Sequence, residues 1–192
     1  MLNNLYNWTL DKAAHPRALW ILAVLSFAES SFFPIPPDVL LIPMVLAART
    51  RAWRIALVCS ISSLLGGLFG YAIGYFFFET VGQSVIDFYG LQQKFDWFRM
   101  AYNEEGAWIV AMAGFTPIPY KIFTIASGFT GLSLSTFIIA SALSRTARFF
   151  LVAALLWKYG TPIKAFIEKR LGLLSLLFFV LLFGSFAAIK YF

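Results

Sequence analysis

"FAESSFFPIPPDVLLIPM", residues 27–44, decides how the chain must be read. It is apolar at both ends, yet it carries Glu29, Asp38 and four prolines: Pro34, Pro36, Pro37 and Pro43. A straight membrane helix avoids both features. Each proline deletes a backbone donor, and each buried charge needs a partner or water. A soluble loop is not this apolar. Irregular backbone at membrane depth is tolerated where it is buried in protein or lines a water-filled cavity. Two short apolar arms around a proline break therefore read as a re-entrant hairpin, which enters a bilayer and returns on one side.

The rest of the chain agrees with a bilayer as solvent. Of 192 residues, 60% are hydrophobic and 12% charged, whereas soluble domains carry about 25% charge. Ile55–Phe78 runs for 24 residues without a charge, and Leu171–Ile189 for 19. Ala107–Ser144 holds one charge, Lys121. Uncharged runs of about 20 residues mark spanning helices. The net charge of +6 is then a topology signal, and no basic cluster interleaved with aromatics suggests nucleic acid. One Cys and one His, Cys59 and His15, do not make a zinc site of the usual kind. No cofactor or metal is expected. The N-terminus reads as retained, since its polar stretch is long and no small-x-small cleavage site precedes Glu29.

The layout repeats. Phe33-Pro34-Ile35-Pro36-Pro37-Asp38 aligns with Thr116-Pro117-Ile118-Pro119-Tyr120-Lys121 at an offset of 83. A long apolar span follows each proline site. A glycine, Gly82 or Gly160, then precedes an amphipathic segment, at an offset of 78. The expected fold is an all-α integral membrane protein, an inverted repeat of re-entrant hairpin plus transmembrane helix. Its parts form a single membrane domain: an interfacial N-terminus at 1–16, repeat 1 at 17–82, an amphipathic linker at 83–106, repeat 2 at 107–170 and a C-terminal transmembrane helix at 171–192. Gly66, Gly70 and Gly74 share one face of the first span and suit close helix packing.

Charge sets the expected direction. With Lys12, Arg17, Arg49, Arg51 and Arg54 inside, the span 55–78 leads to an acidic segment outside. The span 133–157 then brings Lys158, Lys164, Lys169 and Arg170 back inside. Nine bases lie inside and three outside. The two hairpins thus dip from opposite leaflets, as in many transporters. A cytoplasmic N-terminus follows.

At these residues the chain resembles the DedA superfamily, also called the SNARE-associated or VTT-domain family, and its YqaA-like branch in particular. The carriers are "ESSFFPIPPD" (Glu29–Asp38), the glycine-rich span, "FTPIPYKIFTIASG" (Phe115–Gly128) and Arg145, and they cover about residues 17–160. The resemblance implies two opposed re-entrant hairpins in a bacterial inner membrane. It also implies lipid handling, either polyprenyl-phosphate recycling or phospholipid scrambling, often with proton coupling. Glu29 and Asp38 match the family's acidic pair. The second hairpin departs: Gly114 and Tyr120 stand where the family carries arginines, with Lys121 adjacent.

The candidates follow. Glu29 and Asp38 are expected to carry protons, since burial raises and a nearby cation lowers a carboxyl pKa. Their structural alternatives are a pair between Asp38 and Lys121, or Asp38 capping the helix after Pro37. Lys121, Arg145, Arg148 and Tyr120 form the candidate phosphate set. Arg145 and Arg148 lie three residues apart on one helix face, and a guanidinium fork matches phosphate oxygens. Their alternative is ion pairing with Glu29 or Asp38. Pro34, Pro36, Pro117 and Pro119 are expected to shape the hairpin tips. The function expected is movement of an anionic lipid between leaflets; the alternative is proton-coupled carriage of a small ion or solute. Membrane lipids and protons are the expected partners, with a homo-oligomer possible. An enzyme is not expected, for want of a nucleophile–base pair.

Overall fold

A computed structural model describes residues 16–116 and 118–160. Residues 1–15 of the expected interfacial segment, Pro117, the basic stretch after Gly160 and the expected final span 171–189 lie outside the described residues. Among the described residues all regular structure is helical: α1 Pro16–Ser31, α2 Asp38–Ala47, α3 Ala52–Phe77, α4 Gln83–Phe88, α5 Gln92–Glu104, α6 Gly106–Phe115, α7 Tyr120–Thr130 and α8 Leu134–Tyr159. A 3₁₀ turn, Arg49–Arg51, leads into α3, and a π turn, Phe78–Gly82, leads out of it. The amphipathic linker expected over 83–106 is broken into α4 and α5.

Two helical stretches are long and apolar enough to cross a membrane, Arg49–Phe88 and Leu134–Tyr159. With 26 residues each, α3 and α8 are about 39 Å long. The remaining apolar helices, such as α2 and α6 with 10 residues each, are too short to span alone.

Backbone chemistry sets the breaks. α1 stops before Pro34, Pro36 and Pro37, and the amides of Phe32 and Phe33 both donate to the Ala28 carbonyl. Pro37, at φ −67°, then opens α2, as a locked φ suits a helix start. In the second hairpin Thr116 is extended (φ −82°, ψ 164°) and α7 restarts after Pro119. α7 ends at Gly131, whose φ of +67° is the left-handed cap that favours glycine.

Side-chain contacts give the relative directions. Ser26 donates to the Cys59 carbonyl, Ser30 meets Ser63, and Ser31 donates to the Gly66 carbonyl. The numbers rise together, so α1 runs parallel to the first half of α3. α3 and α8 are antiparallel: Trp53 packs on Trp157, Arg145 reaches Ser63, and Tyr71 packs on Phe137. α7 follows the second half of α3, where Gly67 faces Tyr120, Gly70 faces Thr124 and Gly74 faces the Ile125 carbonyl. α6 follows the first half of α8, with Gly114 against Ser144. In each hairpin the first arm lies on the long helix that follows it in the chain and the second arm on the other long helix. Both tips sit level with the middle of the long helices, beside Ser63–Gly67 and Ser144–Arg148.

Two apolar clusters flank that middle. Leu22, Leu41, Val45, Ala56 and Phe149 fill one, and Val110, Tyr120, Leu132 and Phe137 the other. Outside them, Leu57, Ile61, Leu65, Phe69 and Ile73 form an exposed apolar stripe along α3, as a lipid-facing surface requires. The two ends differ in charge. Arg49, whose guanidinium lies against Gly160, is at the end with Trp53 and Trp157. The other end carries α4 and α5, tied by Arg99 and Asn103 donating to the Thr130 carbonyl.

Candidate functional site

The midpoint between the clusters holds four charges in two ion pairs. Arg145 on α8 is 2% exposed. Its Nη2 donates to Glu29 Oε2 at 2.8 Å and to Ser30 Oγ at 3.3 Å, and its Nε donates to Ser63 Oγ at 2.5 Å. Ser30 and Ser63 are 2.7 Å apart, and Ser30 lies 3.2 Å from Glu29 Oε2. The hydrogens in this ring are assigned by elimination. Ser30 gives its one hydrogen to Glu29, so Ser63 accepts from Arg145 Nε–H and donates to Ser30. The ring closes on Glu29 Oε2, which also accepts from Arg145 Nη2. The rings of Tyr120 and Phe149 each lie 4.8 Å from Arg145 Cζ, within cation–π range.

Arg148 lies one turn further on and is half-buried. Its Nη2 donates to Asp38 Oδ2 at 2.5 Å and its Nη1 to the Thr116 carbonyl at 2.8 Å. One guanidinium thus joins the tip of the first hairpin to the tip of the second. The side chains of this pair are 15% and 19% exposed, against 2% and 13% for Arg145 and Glu29. Asp38 Oδ1 is buried without a partner among the described residues. A carboxylate oxygen left bare in this way is costly, so Asp38 is held by one oxygen only.

The other expected residues are distributed around this pairing. Asp38 takes neither of its structural alternatives: it pairs with Arg148 rather than Lys121, and α2 has no side-chain cap. Lys121 is half-buried at the start of α7 and makes no ion pair among the described residues. Tyr120 is fully buried, and its hydroxyl donates to Ser141. It lies under Arg145 rather than beside Arg148. Pro34, Pro36 and Pro119 are exposed at the tips.

Reading residues alone overlooked Ser30, Ser63, Phe149 and the Thr116 carbonyl. The serines had a signal, because small hydroxyls within apolar helices are typical interhelical glue. Phe149 and Thr116 had none: a phenylalanine in an apolar run and a backbone carbonyl look like any other.

Residues 35–158 match the VTT domain. An uncharacterized protein of Haemophilus influenzae is 34% identical over 175 residues, 91% of either chain. A second, from Histophilus somni, is 40% identical over 155 residues, 81% of either chain. No solved structure matches.

Proposed function

The chain belongs to the VTT-domain, or DedA, family, and from that premise we propose that it moves a phosphate-bearing anionic lipid between the leaflets of a bilayer, with Glu29 and Asp38 taking up protons. In this reading the basic end faces the cytoplasm of a bacterial cell and α5 lies on the outer face of its inner membrane. The hairpins α1–α2 and α6–α7 are re-entrant and come from opposite leaflets. Support comes from the tips lying level with the middle of both long helices, and from the arm directions described above.

The observation that carries the reading is Arg148. It is the cation that joins both tips while keeping some exposure. A guanidinium there offers a fork for phosphate oxygens, and Lys121 adds positive charge in the first turn of α7. Arg145 is committed: three contacts and two aromatic rings hold it, and its displacement would strand a buried charge. A buried pair broken on one side costs about 3–5 kcal/mol.

A lipid, rather than a small solute, is favoured by the surface beside the tip. An open apolar hollow of about 460 Å³ is lined by Trp20, Ile21, Val24, Leu25, Ala28 and Phe33. It accepts an acyl chain while the headgroup meets the charges; a solute carrier needs an enclosed aqueous vestibule instead. The test is reconstitution of the full chain into liposomes with labelled lipids of different headgroups, with and without a pH gradient. Arg148→Ala is expected to stop flux of the phosphate lipid. Flux unchanged by Arg148→Ala and by Glu29→Gln would remove the proposed mechanism, and rates indifferent to the gradient would remove the proton role.

A further inference from the structure

The four hairpin arms are not held alike. α1 and α7 each approach α3 at backbone distance, and α6 approaches the Ser144 side chain of α8, with glycine making the room in all three. A Cβ on Gly66 would strike the Phe27 carbonyl of α1, one on Gly114 would strike Ser144, and one on Gly128 of α7 would strike the Tyr71 carbonyl. Serine and threonine add ties: Ser31 of α1 to the Gly66 carbonyl, and Thr124 of α7 to the Ser30 carbonyl. α2 has neither device. Its Leu41, Met44 and Val45 pack by side chain alone into the cluster with Phe149, Ala153 and Leu156. Among the described residues its one polar side-chain tie to another element is Asp38 to Arg148. Pro43 inside α2 also removes a helical hydrogen bond. A non-helical residue, Ala48 at φ −138° and ψ 70°, closes its far end.

Resting on the lipid-phosphate reading above, we propose that the two ion pairs answer phosphate differently: Glu29–Arg145 is not exchanged for it, while Asp38 is a resident competitor for Arg148 that an incoming phosphate displaces, freeing α2 to swing. Phosphate and Asp38 seek the same Nη2 donor. Asp38 holds it through one oxygen, with its second oxygen bare. A phosphate has oxygens for both Nη2 and the Nη1 now given to Thr116, and it carries more charge. Glu29 is not displaced by phosphate, because its Oε2 also takes Ser30 and its partner Arg145 is buried. Asp38 is then a positioning residue that sets the affinity for phosphate and returns α2 after release.

The result is counter-intuitive: weakening the acid should tighten binding yet slow transport. The full chain in detergent micelles is titrated calorimetrically with dihexanoyl phosphatidic acid. Inorganic phosphate is a second arm, and dihexanoylglycerol the phosphate-free control. Asp38→Asn is expected to bind phosphatidic acid about fivefold tighter than wild type, the worth of a part-exposed ion pair, while its lipid flux in liposomes falls. Glu29→Gln shows no such gain, and Arg148→Lys binds more weakly. Asp38→Ser repeats the test should the Asn variant elute as aggregate. Asp38 variants that bind no tighter, or an equal gain in Glu29→Gln, overturn the competition and leave the lipid reading standing. Failure of phosphatidic acid to bind wild type or variant overturns both. Equal gains for inorganic phosphate and phosphatidic acid support the competition but reassign the ligand to free phosphate.

Discussion

α2 and α7 occupy matching places, each the second arm of a hairpin and each lying on the long helix other than the one that follows it in the chain. They are attached by different means. α7 is let into α3 at Gly70 and Gly74, with Gly128 receiving the Tyr71 carbonyl in return. α2 rests on a layer of side chains and one ion pair. The same plan thus yields one arm packed at backbone distance and one held by side chains. Backbone-close packing has no soft atoms to yield, whereas a side-chain layer can slide at small loss. The two ion pairs follow the same division. In the pair that ties α1 the arginine is buried, and in the pair that ties α2 both side chains keep some exposure.

The firmest test of that contrast is Glu29→Ala. It strands Arg145 in the interior and should destabilise by about 3–5 kcal/mol in chemical unfolding from micelles. The double change Glu29→Leu with Arg145→Met should recover most of that loss, since a well-packed apolar pair replaces a buried ionic one with little penalty. Next, Gly128→Val drives a side chain into the Tyr71 backbone and should cost roughly 2–3 kcal/mol in the same assay. Equal stability to wild type would mean that α7 is as loosely seated as α2. Without any substitution, hydrogen exchange should show α2 amides opening at least about tenfold more readily than those of α7, about 1.4 kcal/mol. Matching protection in the two arms would erase the distinction. The smallest effect belongs to Asp38→Ala, about 1 kcal/mol or less in unfolding, as befits a part-exposed pair. A loss as large as that of Glu29→Ala would make the two pairs equivalent.

The tips and arms were legible from residues 27–44 and 115–128 because proline acts on its own backbone. Pro34, Pro36 and Pro119 stop a helix wherever the chain goes. The glycine stripe was legible as a packing face but not in its detail: Gly66 receives the first hairpin, while Gly70 and Gly74 receive the second. The four charges were legible as a set. Their pairing was not. Glu29 and Arg145 are 116 residues apart, and Asp38 and Arg148 are 110 apart. Nothing local distinguishes those pairs from Asp38 with Lys121, which composition allows equally well. The attachment of α2 by side chains alone was also hidden, since its residues are as apolar as those of α6.

By itself the sequence determined the helical content, the long apolar stretches and the breaks between them. Apolar length, proline and charge bias are properties of a segment and its immediate surroundings. Tertiary structure alone decided which acid meets which arginine, that Arg148 reaches both tips, and that Arg145 is sealed by Tyr120 and Phe149. Those outcomes depend on how four arms settle on two antiparallel helices. A shift of one helical turn, about 5.4 Å, would exchange the partners without altering a single local preference.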